Sequence, residues 1–366
     1  MKELNSVKNF SEANAGTKID ELKLAFTDYF NQCQSERGIV GKTFSTEFSK
    51  EEKEDVINKL FVEEVERRSG IAMSAMNNVV EYANAPQVRT FADSIINFMI
   101  DMILPETLIG SIGIIADIKF GGYGDSFKFD IENNALFTVS SAGRRVKTAP
   151  AQVLEKTTAT LAPYNHQVSV IVNLPEVFAG RKSLASFLMK AVRSIESQML
   201  YEAYDAFTTG MESANIPAAF VNANYSETGL ITICEKVTAY NQGRKAVIFG
   251  TPVALKSVLP TSLNTRILLD NAYVTMGHLS NFNGYDVFPM TQVADYTSSS
   301  YALKLRNDRI YVISPASDKI VKVAVGETLS NTDGVFEFAN RTQAGTINKA
   351  WAVGVITNSV AGVIKL

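Results

Sequence analysis

The sequence predicts an α+β fold. Three patterns carry that reading: apolar residues at helical spacing through the first hundred positions, a switch to two-residue alternation at residue 126, and a long helical stripe from residue 184 followed by mixed helices and strands. Near the beginning, Ile19, Leu22, Phe26, Tyr29 and Phe30 share one helical face. Ser49 and Glu52 make the capping-box pattern ahead of Val56, Leu60, Phe61 and Val65. Arg67 and Arg68 then fall in the last turn with Gly70 just beyond, the order that the helix dipole and a left-handed C-cap favour. GIVGKTFST, residues 38–46, reads as a linker, and Ala85-Pro86 marks a second break.

From residue 126 the period is two. Ser126-Phe127-Lys128-Phe129-Asp130-Ile131 alternates, residues 135–139 are the expected partner strand, and Glu132-Asn133-Asn134 is the turn between them. A basic loop, GRRVKTAP at 143–150, leads to two more extended runs at 151–161 and 167–172. Next, Leu184, Phe187, Leu188, Ala191, Val192, Ile195 and Met199 recur at helical spacing, and Ala203 and Phe207 continue the stripe to Gly210. This predicts one helix of about 28 residues, roughly 40 Å long, with those seven residues on its core face. Further on, the patterns predict a helix at 227–240, a strand at 245–249, a short helix at 252–258 and a strand at 285–293. Five more strands are predicted at 309–313, 320–325, 335–339, 350–357 and 362–366.

Composition excludes several classes of function. The chain has 366 residues, of which 46% are hydrophobic, enough for a sizeable core. Its net charge is -3, with 12 Lys and Arg against 18 Asp and Glu over residues 1–110 and 23 against 20 over the rest. So small a basic excess cannot hold many phosphates by counterion release, which argues against a dedicated nucleic-acid binder. Cys33 and Cys234 form neither a disulfide framework nor a metal spacing, as in a reducing compartment. The opening MKELNSVKNFSEANAG lacks the apolar core of a secretory signal. Residues 95–115 are the most apolar run, but Asn97, Asp101, Pro105 and Glu106 interrupt it, so a soluble chain with no membrane partner is expected.

No catalytic constellation emerges. His166 and His278 are the only histidines, and neither sits in a metal or nucleophile motif; no GxSxG, HExxH, CxxC or EF-hand spacing occurs. Gly41-Lys42-Thr43 imitates a phosphate loop, but the position that needs its first glycine holds Glu36, whose charge would repel the ligand. Gly121, Gly122 and Gly124 invite the same comparison. A phosphate-binding glycine loop opens a helix, however, and here an alternating strand follows, so these glycines are expected to form the bend or hinge at the base of a hairpin. No catalytic residue, metal or cofactor is predicted.

The order of elements resembles the major capsid proteins of tailed bacteriophages, with the Hong Kong 97-type fold. The resemblance rests on a glycine turn before GDSFKFDI, a second strand ending near SSAGRR, a return through TTATLAPYNHQVSVIVNLPEVFAG, and the long amphipathic KSLASFLMKAVRSIESQMLYEAYDAF. It covers roughly residues 86–366. It implies an N-terminal helical region at 1–85 that is an arm or scaffold-like, a P-domain at 86–119 and 173–215 containing the spine helix, and an extended E-loop hairpin at 120–172. An α/β A-domain at 216–315 follows, and C-terminal strands at 316–366 return to the P-domain and A-domain core. Arg144, Arg145 and Lys147 would then lie at an intersubunit contact at the E-loop tip. Function by resemblance is structural: copies assemble into pentamers and hexamers of an icosahedral shell around double-stranded DNA, in the virion and, during assembly, in the host cytoplasm. Its partners would be further copies of itself, portal and scaffolding or decoration proteins, and packaged DNA touched non-specifically. An encapsulin-like compartment and a soluble nucleotide-dependent α/β enzyme are the competing readings.

Overall fold

A computed structural model describes residues 18–36, 43–122, 124–132, 156–171, 174–212, 215–260, 277–295, 301–315, 318–332 and 344–366. Four helices come first: α1 (Lys18–Glu36), α2 (Lys50–Ser69), α3 (Val79–Asn84) and α4 (Pro86–Ile112). The capping box forms at α2, where the Glu52 N–H donates to Ser49 Oγ at 3.2 Å and the Ser49 N–H donates to Glu52 Oε2 at 2.8 Å. Gly70 closes the helix at φ +66°. Ala85 is extended and Pro86 opens α4, where a missing N–H costs nothing.

Helix α4 continues past Asn97, Asp101, Pro105 and Glu106, the positions that interrupt its apolar run. By length and apolarity it is long enough to cross a bilayer, and 67% of its most apolar window is buried inside the protein. Its buried polar residue has a specific partner set, described below.

A four-stranded sheet has the order β1-β10-β11-β4, built from β1 (Ala116–Phe120), β4 (Tyr164–Ile171), β10 (Val321–Thr332) and β11 (Ala344–Val355). β1 runs parallel to β10, and the other pairings are antiparallel. β10 and β11 are longer than the runs 320–325 and 350–357 suggest, and the expected strand at 335–339 lies outside the described residues. Ile347, Lys349 and Trp351 alternate onto the buried face of β11, toward α4 and the long helix α6 (Leu184–Gly210).

On that face lies a buried ionic contact. Lys349 Nζ is 2.5 Å from Asp101 Oδ1, and the Thr328 backbone N–H donates to Asp101 Oδ2 at 3.0 Å while its hydroxyl donates to Oδ1. A β-bulge makes this geometry possible. Val325 pairs with Trp351 and Thr328 with Lys349, so two residues on β10 oppose one on β11, and the displaced Thr328 N–H is free to meet the carboxylate of α4.

A second sheet of six strands has the order β5-β12-β9-β6-β8-β7. It comprises β5 (Val221–Asn222), β6 (Val247–Gly250), β7 (Asn281–Phe282), β8 (Tyr285–Pro289), β9 (Arg309–Ile313) and β12 (Gly362–Lys365). Helix α7 (Glu227–Tyr240) packs on β9 and β12 through Leu230, Ile233, Cys234 and Val237. Burial there pushes the Cys234 thiol up to about 12, so it stays an inert apolar side chain. The short helix α8 spans Pro252–Leu255 and stops before the predicted 258, and β8 ends at Pro289, not 293.

Helix α6 has 27 residues, and Ser183 Oγ caps it by accepting the Ser186 N–H at 3.1 Å. Leu184, Leu188, Ala191, Val192, Ile195 and Met199 are buried, while Phe187 is half-buried at the edge of the core. The first helices join the same core. Asn58 of α2 accepts the Leu184 N–H at 2.9 Å and donates to the Lys182 carbonyl at 3.3 Å, adding a second cap to α6 from a distant part of the chain. Phe61 stacks on Phe178 of helix α5 (Leu174–Phe178) with ring centroids 5.7 Å apart. Helices α1, α2 and α3 thus share the main hydrophobic core with α4 and α6.

Replacing Asp101 by Ala leaves a buried ammonium unpaired, and a loss of about 3–5 kcal/mol in urea unfolding is expected. The double variant Asp101→Leu with Lys349→Met should recover much of it, because the uncompensated charge is gone. An additive double variant would contradict the coupling.

Candidate assembly element: a hairpin on two feet

Between β1 and β4 the chain leaves the sheet as a two-stranded ribbon. Strand β2 (Phe127–Glu132) pairs antiparallel with β3 (Lys156–Leu161), from Phe127 opposite Leu161 to Glu132 opposite Lys156. The expected partner at 135–139 lies outside the described residues, and the pairing seen is a longer-range one. The partner comes from 24 residues further along, and 133–155 lie outside the described residues. Arg144, Arg145 and Lys147 are among them. The ribbon also ends sooner than the span 120–172 implies, since 164–171 belong to the four-stranded sheet as β4.

The outgoing foot is the glycine turn. The Gly121 N–H donates to the Val325 carbonyl at 3.1 Å, extending the pairing of β1 with β10 by one bond. Asp125 then closes the turn: its Oδ2 accepts the Gly122 N–H at 2.7 Å, and its own N–H donates to the Gly122 carbonyl at 3.3 Å. A Cβ at Gly121 would stand 2.9 Å from both Asp125 Oδ2 and the Phe127 ring, so a larger residue would have to displace one of these side chains. Gly124 has φ +84°, in the left-handed region. Among the described residues it is strand β2, not a helix N-terminus, that follows the turn.

Alternation along β2 gives the ribbon one apolar face. Phe127, Phe129 and Ile131 are buried while Lys128 and Asp130 are exposed. Phe127 and Phe129 meet Ala324 of β10, with Leu161 beside them, in a small core separate from the main one. Two cations border it. Lys119 Nζ sits 4.7 Å from the Phe129 ring centroid and donates to the Lys128 carbonyl at 2.5 Å. Lys322, itself buried, lies 6.0 Å from the same ring and is paired with Asp318 at 2.5 Å and Asp117 at 3.8 Å.

The return foot is Ala162-Pro163, after which β4 enters the sheet. Tyr164 pairs with Trp351 and His166 with Lys349. The imidazole of His166 lies flat on the Trp351 indole, with centroids 3.4 Å apart and planes at 3°, and Trp351 Nε1 donates to Glu202 Oε2 of α6 at 2.8 Å. Nothing in the sequence marked this cluster. Its residues come from three elements, and His166 carries no motif.

Elsewhere, a cleft of about 630 Å³ opens between α4, α6 and β8, with Phe30, Ile112, Leu200 and Met290 among its walls and Glu106 and Glu196 on its lining. Ser111 Oγ donates to the Thr107 carbonyl at 2.8 Å and to Glu196 at 3.3 Å. Among the described residues no histidine or cysteine joins them, and no group of three His, Cys, Asp or Glu residues is placed to hold a metal ion.

Gly124→Ala meets no neighbour within 4 Å, so its expected cost is the backbone strain alone, about 1–2 kcal/mol. Phe129→Ala should accelerate amide exchange in residues 156–161 while α4 and α6 stay protected, because the small core serves only the ribbon. Equal acceleration throughout the body would show that the two cores are one.

No protein-family model and no curated protein matches the chain. In comparisons of structure it is similar to the head structure of Helicobacter pylori bacteriophage KHP40, at 11% identity and TM-score 0.46, over 70% of this chain and 91% of that one. A second match is the capsid of an empty GTA particle, at 12% identity and TM-score 0.45, over 70% and 96%. A third is a virus-like particle from Pyrococcus furiosus, at 11% identity and TM-score 0.39, over 72% and 96%. The solved structures to which this chain is similar are, in these cases, a phage head, a GTA capsid and a virus-like particle.

Proposed function

We propose that the chain is a major capsid subunit, many copies of which tile as pentamers and hexamers into an icosahedral shell around double-stranded DNA. The observation that carries this reading is the ribbon: two strands leave the body between fixed feet, rest on their own small core, and lead into the 23 residues numbered 133–155. An isolated two-stranded ribbon is marginal in water and gains most from contact with another surface. A shell of repeated heterologous contacts supplies that surface at every copy.

In this reading the ribbon and its loop are the E-loop, which overlaps a neighbouring subunit and brings Arg144, Arg145 and Lys147 to the contact. The four-stranded sheet with α4 and α6 is the P-domain, with α6 as its spine, and the six-stranded sheet with α7 is the A-domain around the five-fold and six-fold centres. Long overlapping arms spread the association energy over many modest contacts, which lets early errors be corrected before closure. The near-neutral charge suits a wall that confines DNA without binding it tightly. Portal, scaffolding or decoration proteins would meet the same subunit at other surfaces.

Expression of the full chain, followed by negative-stain electron microscopy and sizing, should yield closed particles or hexamer-sized rings. Deleting residues 143–149 should leave a folded subunit that no longer assembles. A stable full-length monomer that binds ATP would overturn the reading, and normal particles from the deletion would refute the role given to the loop.

A further inference from the structure

We propose that His166, where the hairpin's returning strand enters the body, is a proton-operated release for that foot. The ring is held as a neutral aromatic plate. Trp351 stacks on one side at 3.4 Å, and Tyr164 covers another at 4.5 Å with a 38° tilt. Nδ1 is 3.8 Å from Glu202 Oε1, beyond hydrogen-bond length, and Nε2 is buried with no hydrogen-bond partner. The charged and titratable groups facing the ring are Glu202 from α6, Tyr164 from its own strand, and Lys349 from β11, whose ammonium is held by Asp101 of α4.

A proton on this ring creates a buried N–H with no acceptor, and such a group is costly until it moves. Two responses are open. The imidazolium can swing out to water, or it can draw in Glu202, whose oxygens already accept from Trp351 Nε1 at 2.8 Å and Gln198 Nε2 at 3.0 Å. The first breaks the stack on Trp351 and the second takes Glu202 away from Trp351 Nε1, so either loosens the tie between the returning strand and the spine. Among the described residues β4 is an edge strand, held by β11 on one side, so this end of the sheet can yield while the Asp101–Lys349 contact keeps the body closed.

Burial lowers the His166 pKa, and Glu202 and a backbone contact with Trp351 oppose that shift without reversing it. The sign follows. The unfolded chain takes up the proton more readily than the native one, so the stack's full stability is present above the unfolded value near pH 6.5 and is lost as the pH falls below it. What the release does for assembly rests on the proposed shell function; the proton step itself does not.

Trp351 is the chain's single tryptophan; an imidazolium beside an indole quenches its emission, and departure of the ring exposes the indole to water, which weakens and red-shifts that emission. Lowering the pH of the full chain from about 7.5 to about 4 should therefore reduce its tryptophan emission in one transition below the usual histidine range. His166→Gln should abolish the transition, and Glu202→Gln should move it to lower pH. In the wild type, amide exchange corrected for its intrinsic pH dependence should rise in residues 156–161 and 164–168 across the same transition. Flat wild-type emission, an unchanged transition in His166→Gln, or exchange that stays constant while emission falls would each overturn the proposal. Particles absent at every pH, with the transition intact, would sink the shell reading and leave the switch standing.

Discussion

The body of this protein depends on one buried carboxylate. Asp101 sits among buried apolar residues of α4 and would be untenable there alone, yet it receives an ammonium from β11 and two donors from Thr328 on β10. That single group fixes the rotation of α4, the bulge in β10 and the register of β11 together, because a slip of one residue in either strand would turn its donor to the other face. Apolar packing supplies most of the energy, but it is non-directional and would tolerate a shifted helix. The ionic contact would not.

From that fixed face the rest of the architecture follows. Lys349 and Trp351, two residues apart on one strand, reach Asp101 on α4 and Glu202 on α6, so the two long helices are located by the same strand. The opposite face of the sheet is left to Ala324, Lys322 and Lys119, which receive the aromatic side of the hairpin. Helices on one side and ribbon on the other give the subunit a rigid half and a separately anchored half. Asn58 adds the N-terminal helices to the rigid half by completing the hydrogen bonding at the start of α6.

Sequence patterns made local features legible and left their partners open. The stripe from Leu184 to Gly210, the box at Ser49 and Glu52, and the alternation at 127–131 are set by neighbours within a few residues, and each appears in the structure. Pairing is a different matter. Alternation states which face of β2 is apolar but not which segment lies beside it, so its pairing with β3 from residue 156 was not readable. Asp101 showed in the sequence only as an interruption of an apolar run. The carboxylate is tolerated only through residues more than 220 positions away. His166, Trp351 and Glu202 were unreadable as a group for the same reason: their proximity is a product of the sheet and the spine helix, with no spacing in the chain to announce it.

The positions of β11 and β12 bear on when this fold can come into being. They follow every other described element in sequence, yet each is interior to its sheet, β11 between β10 and β4 and β12 between β5 and β9. On a ribosome, both sheets therefore remain split until the final strands emerge, and the earlier helices wait with their apolar faces unsheltered. Closure is a late, long-range event, and so a slow one. A nascent chain of this design is held in an unfinished shape until β11 and β12 have both been made.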